Sequence, residues 1–492
     1  MKEQGFRGFA TRCGILVFLA AATLVLVRCG SSTPATGMGT SNVSLSDPPS
    51  CTTFSHAYVT IDEVSANISS TSDSGWQSLV SQISSTASPI KAVQVDLMNL
   101  PQAGQCLLAQ LGSNTSLPAG SYQQIRLLLV DNSAAASSVN LIAPSVACGN
   151  ATSNCANACG NAGWNCVVVK GSNTPSMLDL SSESQTGLKI PPGQVFGGPI
   201  DVAAGKSVDI NLDFNACRSI LQEGNGQFRL KPALVGYVVS QNLTGISGQV
   251  VQGTVVSNTL TVTGNPIANA NVALEMATPP TDGANSVDLI GNFLHQTDSS
   301  GNFDFCPLPA GPFDIVADAG AGNATTGIFN ATIVTTVPNG TQPPSIPLLA
   351  EVGAPATLNG IINATLAASG PTSAAVDMFA LQSATSTLEF AVPLLEPGST
   401  DLVNIPCVGT TCTAGSNNYT LIVPASNPLV GAFSGGKITW TLPVAPPIPY
   451  KAEATCAGAS GNVAVFSTAQ NVTAGTTTTV SPALATLSGC TQ

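Results

Sequence analysis

The chain has 492 residues, which suggests about three domains, and its 43% apolar content is enough for real cores and argues against global disorder. Charged residues make up only 8%, against a typical ~25%, so solubility rests on Ser, Thr, Asn, Gln and Gly, a composition that favours β-rich extracytoplasmic domains over helical bundles. Beyond residue 28 there are 10 basic and 25 acidic residues, a net of −15, with no Lys or Arg from Pro232 to Gly436; such a surface cannot neutralise phosphates and excludes nucleic acid as a partner.

In chain order, Lys2, Arg7 and Arg12 precede a 14-residue apolar run from Gly14 to Val27 that ends at Cys29-Gly30-Ser31-Ser32. A span of the bilayer needs roughly 20 apolar residues, so this is a signal segment rather than a transmembrane helix. Basic start, short apolar core and edge cysteine look like a bacterial lipoprotein signal over residues 1–29. That implies export, a cell-envelope location (outer membrane or cell surface) and a membrane anchor through lipid on Cys29. Arg28 departs from the pattern, because the pocket before the modified cysteine takes Gly, Ala or Ser. Inefficient lipidation, cleavage elsewhere and an uncleaved anchor stay open beside it. Residues 30–50, rich in Ser, Thr, Gly and Pro, read as a flexible tether.

From 51 to 240 the pattern is mostly strand. Tyr58 to Asp62 alternates, and so does Ser207 to Asn215, with Val208, Ile210, Leu212 and Phe214 on one face and Asp209, Asn211, Asp213 and Asn215 on the other. Ile125 to Val130 is apolar on both faces except at Arg126 and predicts a central strand. A short helix fits Trp76 to Ser85. Twelve cysteines remain past Cys29, an even number, and in an exported chain they read as disulfides. Cys148, Cys155, Cys159 and Cys166 crowd into a Gly/Asn/Ala-rich insertion. Zinc favours paired C-x(2–4)-C knuckles, only the middle pair comes close and no histidine lies nearby, so two local bridges are expected, with connectivity open. Tyr58-Val-Thr-Ile-Asp-Glu-Val64, Gly75-Trp-Gln, Leu117-Pro-Ala-Gly-Ser-Tyr-Gln-Gln-Ile-Arg126, Thr186-Gly-Leu-Lys-Ile-Pro191, Asp213-Phe-Asn-Ala216 and Gly224-Asn-Gly-Gln-Phe-Arg-Leu-Lys-Pro232 occur in order. With them this region resembles the domain-of-unknown-function family 4382 of exported bacterial proteins. The family has no assigned activity, so the resemblance implies location and fold type only.

Residues 245–349 read as a second unit. Ile246-Ser-Gly-Gln-Val250 opens it. Asp298 to Gly301 is a turn, Phe303 and Phe305 point inward, Pro309-Ala-Gly311 turns again, and Phe313 and Ile315 return to the core. These residues resemble the carboxypeptidase regulatory-like domain, a transthyretin-like sandwich grouped with carbohydrate-binding-like folds. The resemblance implies fold and not function. Residues 353–492 begin similarly at Leu358-Asn-Gly-Ile-Ile362 and read as a diverged sandwich. Cys407 with Cys412 and Cys456 with Cys490 are its candidate bridges. The expected fold class is all-β and multidomain, with tandem antiparallel β-sandwiches behind the signal and tether.

Catalysis finds little support. His56 and His295 lie in different units, neither beside a nucleophile motif or a second metal ligand, and read as surface or strand-face histidines. Asn211-x-Asp213-x-Asn215 and Asp298-x3-Asn302-x-Asp304 each offer at most three oxygens where calcium wants six to eight, and read as a solvated strand face and an Asx-type turn. No catalytic residue, cofactor or metal is assigned. Trp76 and Trp440 read as core. Trp164, in a loop too small to hide it, is the exposed ligand candidate. The expected function is a non-catalytic envelope lipoprotein for surface display or protein interaction; the alternative is a glycan-binding envelope protein that stacks sugar on Trp164.

Overall fold

A computed structural model describes residues 37–47, 53–72, 74–103, 106–145, 155–180, 187–190, 195–196, 198–222, 226–230, 234–239, 245–276, 288–320, 327–351, 353–366, 373–385, 388–393, 399–400, 402–406, 415–444, 447–458 and 461–490. Cys29, Cys148, Cys407 and Cys412 lie outside them. Among the described residues no helix is long and apolar enough to cross a membrane. The chain is all-β and multidomain.

The first unit packs two sheets face to face. One has the strand order Val195–Phe196, Leu234–Val238, Ser207–Phe214, Met38–Ser46, Ala109–Pro118. The other is built around the long strand Phe54–Asn67, which pairs with Ile90–Asp96, Gln124–Leu129 and Cys166–Val169. Val43, Leu45, Ile61, Val93, Leu111, Leu127, Ile210 and Leu212 fill the space between them. Gln124–Leu129 is flanked by Phe54–Asn67 and Leu188–Ile190, which explains its two apolar faces. Arg126 is tolerated there because it reaches Glu63 at 2.7 Å and lies 4.6 Å over the Trp76 ring.

Three sequence expectations need correction here. Residues 38–46 are not tether. They form a central strand, parallel to Ser207–Phe214 and antiparallel to Ala109–Pro118, with Ser41, Val43 and Leu45 fully buried. Composition misleads because the strand's second face is small and polar by use, as described below. The helix expected over Trp76 to Ser85 is instead a two-residue strand, Gln77–Ser78, followed by turns and a bridge from Ser84 to Lys91. The clean alternation of Ser207–Phe214 holds only at its start, because Asn211, Asp213 and Asn215 are as buried as the apolar face.

Next, a four-stranded sheet of Ile246–Val256, Thr259–Pro266, Asn302–Phe305 and Ile346–Leu349 packs on a six-stranded one. The latter runs Asp288–Gln296, Asn271–Met276, Phe313–Ala319, Phe329–Val337, Leu429–Ser434, Lys437–Thr441. Phe303, Phe305, Phe313 and Ile315 are buried between them, as the alternation predicts. The last two strands come from the C-terminal region: Leu429–Ser434 pairs in parallel with Phe329–Val337. The expected break between 349 and 353 is therefore crossed by a continuous sheet. Its two faces serve different cores. Ile315, Ala317 and Val334 face the second unit's core, while Val316, Ala331 and Ile333 face a third core under the ten-stranded sheet of Ser373–Ser383, Pro449–Gly458 and Ala356–Leu366. A strand buried on both faces reads as a near-continuous apolar run, as Ile315-Val-Ala317 does.

Candidate functional site

The site builds from the polar face of the first sheet. In the parallel register Ser44 sits beside Asn211 and Ser46 beside Asp213. Ser44 Oγ donates to Asn211 Oδ1 at 2.9 Å, and Asn211 Nδ2 donates to Ser46 Oγ at 2.7 Å and to the Tyr237 hydroxyl at 2.9 Å. Ser46 Oγ donates to Asp213 Oδ1 at 3.2 Å. Tyr237 carries the network across to the second unit, donating to the Pro307 carbonyl at 2.9 Å and packing its ring against Phe293. One residue before that proline, Cys306 is disulfide-bonded to Cys106 of the first unit, a link across 200 positions of sequence.

A cavity of about 70 Å³ lies at this junction, lined by Asp47, Asp213, Asp304, His295, Phe293 and Phe305 among others. Asp47 follows the central strand directly. Its Oδ1 accepts from the Ala216 amide at 2.8 Å, whereas Oδ2 is buried and has no partner among the described residues. Burial pushes the Asp47 carboxyl well above the ordinary range, helped by the charges of Asp213 and Asp96. Burial pushes Asp213 up to about 8, against the Ser46 hydrogen bond. Asp304 sits at the exposed edge, also raised by burial. His295 is buried, its ring 4.3 Å from that of Phe305, and burial holds its pKa down to about 3. Of the expected surface or strand-face positions it takes the second, on the strand Asp288–Gln296 but buried: the imidazole is neutral and part of the wall. The arrangement gathers acceptor oxygens and one neutral ring around a small space. It pairs no base with a nucleophile.

The other residues singled out in the sequence fall elsewhere. Trp164 is not exposed. Its side chain packs with Ala92, Val130, Val139 and Leu141 at 6% exposure, and its indole Nε1 donates to the Ala134 carbonyl at 2.9 Å. The insertion hides it because Cys166–Val169 pairs with Phe54–Asn67, and Asn132 Oδ1 accepts from the amides of both Trp164 and Asn165. Trp76 and Trp440, expected as core, are only half-buried. His56 Nδ1 lies 2.7 Å from Asp96 Oδ2 with its ring stacked on Tyr58. Asp298 accepts from the amides of Ser300 and Asn302, as an Asx-type turn requires. Cys159 is joined to Cys166 and Cys456 to Cys490, and Cys155 is also disulfide-bonded. The sequence reading missed Cys106–Cys306, Asp47 and Tyr237. The two weak oxygen clusters were the available signal, for Asp213 of one and Asp304 of the other meet at this cavity.

Among solved structures the chain is similar to a candidate cell adhesion protein from Bacteroides ovatus, at 11% identity over 50% of this chain and 95% of that one, TM-score 0.17. It is similar to a candidate carbohydrate binding protein from Pseudomonas aeruginosa, at 23% identity over 22% and 91%, TM-score 0.13. The minor pilin of Streptococcus agalactiae is similar at 13% identity over 51% and 96%, TM-score 0.15. TM-scores this low carry no argument about function. No curated protein matches the chain. Residues 38–232, which begin at the central strand and contain Asp47 and Asp213, match the model of a family described as a domain of unknown function, DUF4382.

Proposed function

We propose that this is a non-catalytic cell-envelope protein, anchored by lipid on Cys29, whose joined β units form a rigid surface-display or protein-interaction module. The observation that carries the reading is the way the units are fused. A disulfide and the Tyr237–Pro307 hydrogen bond tie the first to the second, and a common six-stranded sheet ties the second to the third. Interfaces within a chain that permit motion are small and polar; here a covalent bond and a shared sheet oppose it. The side chains that the sequence offered for chemistry are used structurally: His56 with Asp96, Asp298 in its turn, His295 in a wall. The glycan alternative loses its named residue with the burial of Trp164, and the half-buried Trp76 has Arg126 over its ring.

The test is cell fractionation with a fatty-acid probe and external protease. Wild-type protein should carry label, sediment with membranes and be accessible from outside, while Cys29→Ala should lose label and anchoring. Unlabelled wild-type protein would show that Arg28 defeats lipidation, and protein retained in the cytosol would sink the envelope reading itself.

A further inference from the structure

We propose that Thr259–Pro266, the open edge of the second unit's four-stranded sheet, pairs antiparallel with the same strand of a second copy of this chain. Among the described residues this strand pairs only with Ile246–Val256. The two run out together as an arm. Asn302–Phe305 covers Ile246 to Gln249 and Ile346–Leu349 covers Val250 to Gly253, so among the described strands Thr254 to Val256 are paired only with Thr259 to Thr261. Ser257 and Asn258, at φ of 49° and 60°, close the arm with the tight two-residue turn of a hairpin. Every residue from Thr254 to Pro266 is exposed except the half-buried Leu260, and Val255, Val256 and Val262 are large apolar side chains left in water. Proteins normally blunt a sheet edge with charge or proline; Thr259 to Asn265 carries neither. A two-stranded ribbon on its own is marginal in water, and further strands beside it stabilise it.

Charge and side-chain pattern select a second copy as the occupant. No Asp, Glu, Lys, Arg or His lies between Pro232 and Leu274, in a chain with 25 acidic against 10 basic residues beyond residue 28. Two such copies repel elsewhere on their surfaces, whereas here they meet without like charges, and a strongly charged partner finds no opposite charge to pair with. The edge is also complementary to itself. Paired residues share a face, so Leu260 lies beside Val255 and Val262 beside Gly253, with Thr259, Thr261 and Thr263 on the other face. Self-pairing centred on Thr261 sets Leu260 of one copy opposite Val262 of the other, and Thr259 opposite Thr263. Each apolar side chain then meets an apolar one, and each threonine a threonine. The two arms become one four-stranded ribbon, and the two-fold axis closes the pair instead of propagating it. So short a ladder buries less than the ~800 Å² per partner of a stable interface, so the dimer is a weak one. The pairing needs only the sheet edge, with or without lipid on Cys29.

Variants of the whole oxidised protein with one added cysteine test this. A two-fold axis at Thr261 places the two Thr261 Cα atoms ~4.5–5.5 Å apart, within disulfide reach. Thr254, exposed on the same face of the neighbouring strand, lies three strand spacings from its mate, ~14 Å, and out of reach. Under mild oxidation Thr261→Cys should therefore give a disulfide-linked dimer at least ~10-fold faster than Thr254→Cys. Sedimentation of the wild type should show an average mass that rises with concentration up to about 1 mM. Thr261→Lys, which sets two like charges directly opposite each other, should hold the protein monomeric with an unchanged circular dichroism spectrum. Equal rates for the two cysteines would mean collision instead of pairing and would overturn the proposal. So would a wild type that stays monomeric throughout, or a Thr261→Cys protein that links to other envelope proteins and not to itself.

Discussion

Replacing Trp164 by alanine should unfold the edge of the first β unit rather than remove a binding surface. The indole is 6% exposed, touches Ala92, Val130, Val139 and Leu141, and its N–H is bonded to the Ala134 carbonyl. Truncating a buried tryptophan costs ~3–5 kcal/mol, from lost transfer energy and the cavity left behind. This cluster is small and lies near the surface, with Val139 itself 8% exposed, so partial collapse favours the lower end, about 3 kcal/mol. The backbone around it is held independently: Asn132 grips the 164 and 165 amides, Gln94 and Thr60 donate to the Trp164 carbonyl, and Cys159–Cys166 closes the loop. The damage should therefore stay local to the insertion and the Val139–Leu141 and Ile90–Asp96 strands. For a unit of this size, about 3 kcal/mol lowers the melting temperature by ~6–12 °C. Trp164→Phe keeps most of the packing but leaves the Ala134 carbonyl without its donor, and should cost ~1–3 kcal/mol. Thermal unfolding followed by circular dichroism, with acrylamide quenching of the tryptophan emission, reads both effects. A Trp164→Ala protein that melts like wild type, in a background where the Trp164 emission is freely quenched, would refute the burial and restore the residue as a surface ligand candidate.

Other consequences follow from the junctions and the buried acids. Non-reducing peptide mapping should recover Cys106 linked to Cys306, Cys159 to Cys166 and Cys456 to Cys490. Cys106→Ser with Cys306→Ser should cost ~2–5 kcal/mol and lower the melting temperature, and an unchanged melt would show that the bridge holds nothing. Asp62 has its pKa raised to about 6, first by burial and then by the Glu63 charge, from 3.8 unfolded. The native state favours the protonated acid, so stability should be full below about pH 4, fall as pH rises through about 6, and then level off. The drop is on the order of 3 kcal/mol for a shift of two units. Asp62→Asn should remove that slope, which urea midpoints measured across the range would detect. Finally, a fragment of residues 245–349 leaves Phe329–Val337 as an edge and exposes Val316, Ala331 and Ile333. It should aggregate where residues 245–492 stay in solution, as light scattering would show; a well-behaved 245–349 fragment would mean the shared sheet is dispensable.

Alternation and turn chemistry made much of this fold legible. Phe303, Phe305, Phe313 and Ile315 fall inward because a two-residue period on either side of Asp298–Gly301 leaves them no other face. The failures share one cause. Period-two patterning marks a face as polar, but it cannot say whether water or another part of the chain covers that face. Asn211, Asp213 and Asn215 read as solvated, and so did the serines of Met38–Ser46. Each of these runs is half of a polar interface, and the two halves lie about 165 residues apart in sequence, as the Ser46 to Asn211 bond shows. A Ser/Thr-rich strand therefore looked like a tether, because its small polar residues are what a packed, hydrogen-bonded junction selects.

The same argument explains why Trp164 was misplaced and why the cavity was not foreseen. A loop of Gly, Asn and Cys cannot build a core from its own residues, but Trp164 borrows one from Val130, Val139 and Leu141. Asp213 and Asp304 were each noticed as oxygen-bearing, and each was discounted because neither cluster reached the ligand count of calcium alone. Tertiary structure brings one residue of each cluster to the cavity, beside Asp47 from a third segment. Burying Asp47 and Asp213 at one junction, with Asp304 at its edge, costs stability unless something neutralises them. A chain with no Lys or Arg between Pro232 and Gly436 offers no basic side chain from its second unit to do so. What neutralises the junction must then be a proton, or a cation from the first unit or from solution, and that choice decides whether the connection between the two units responds to its surroundings.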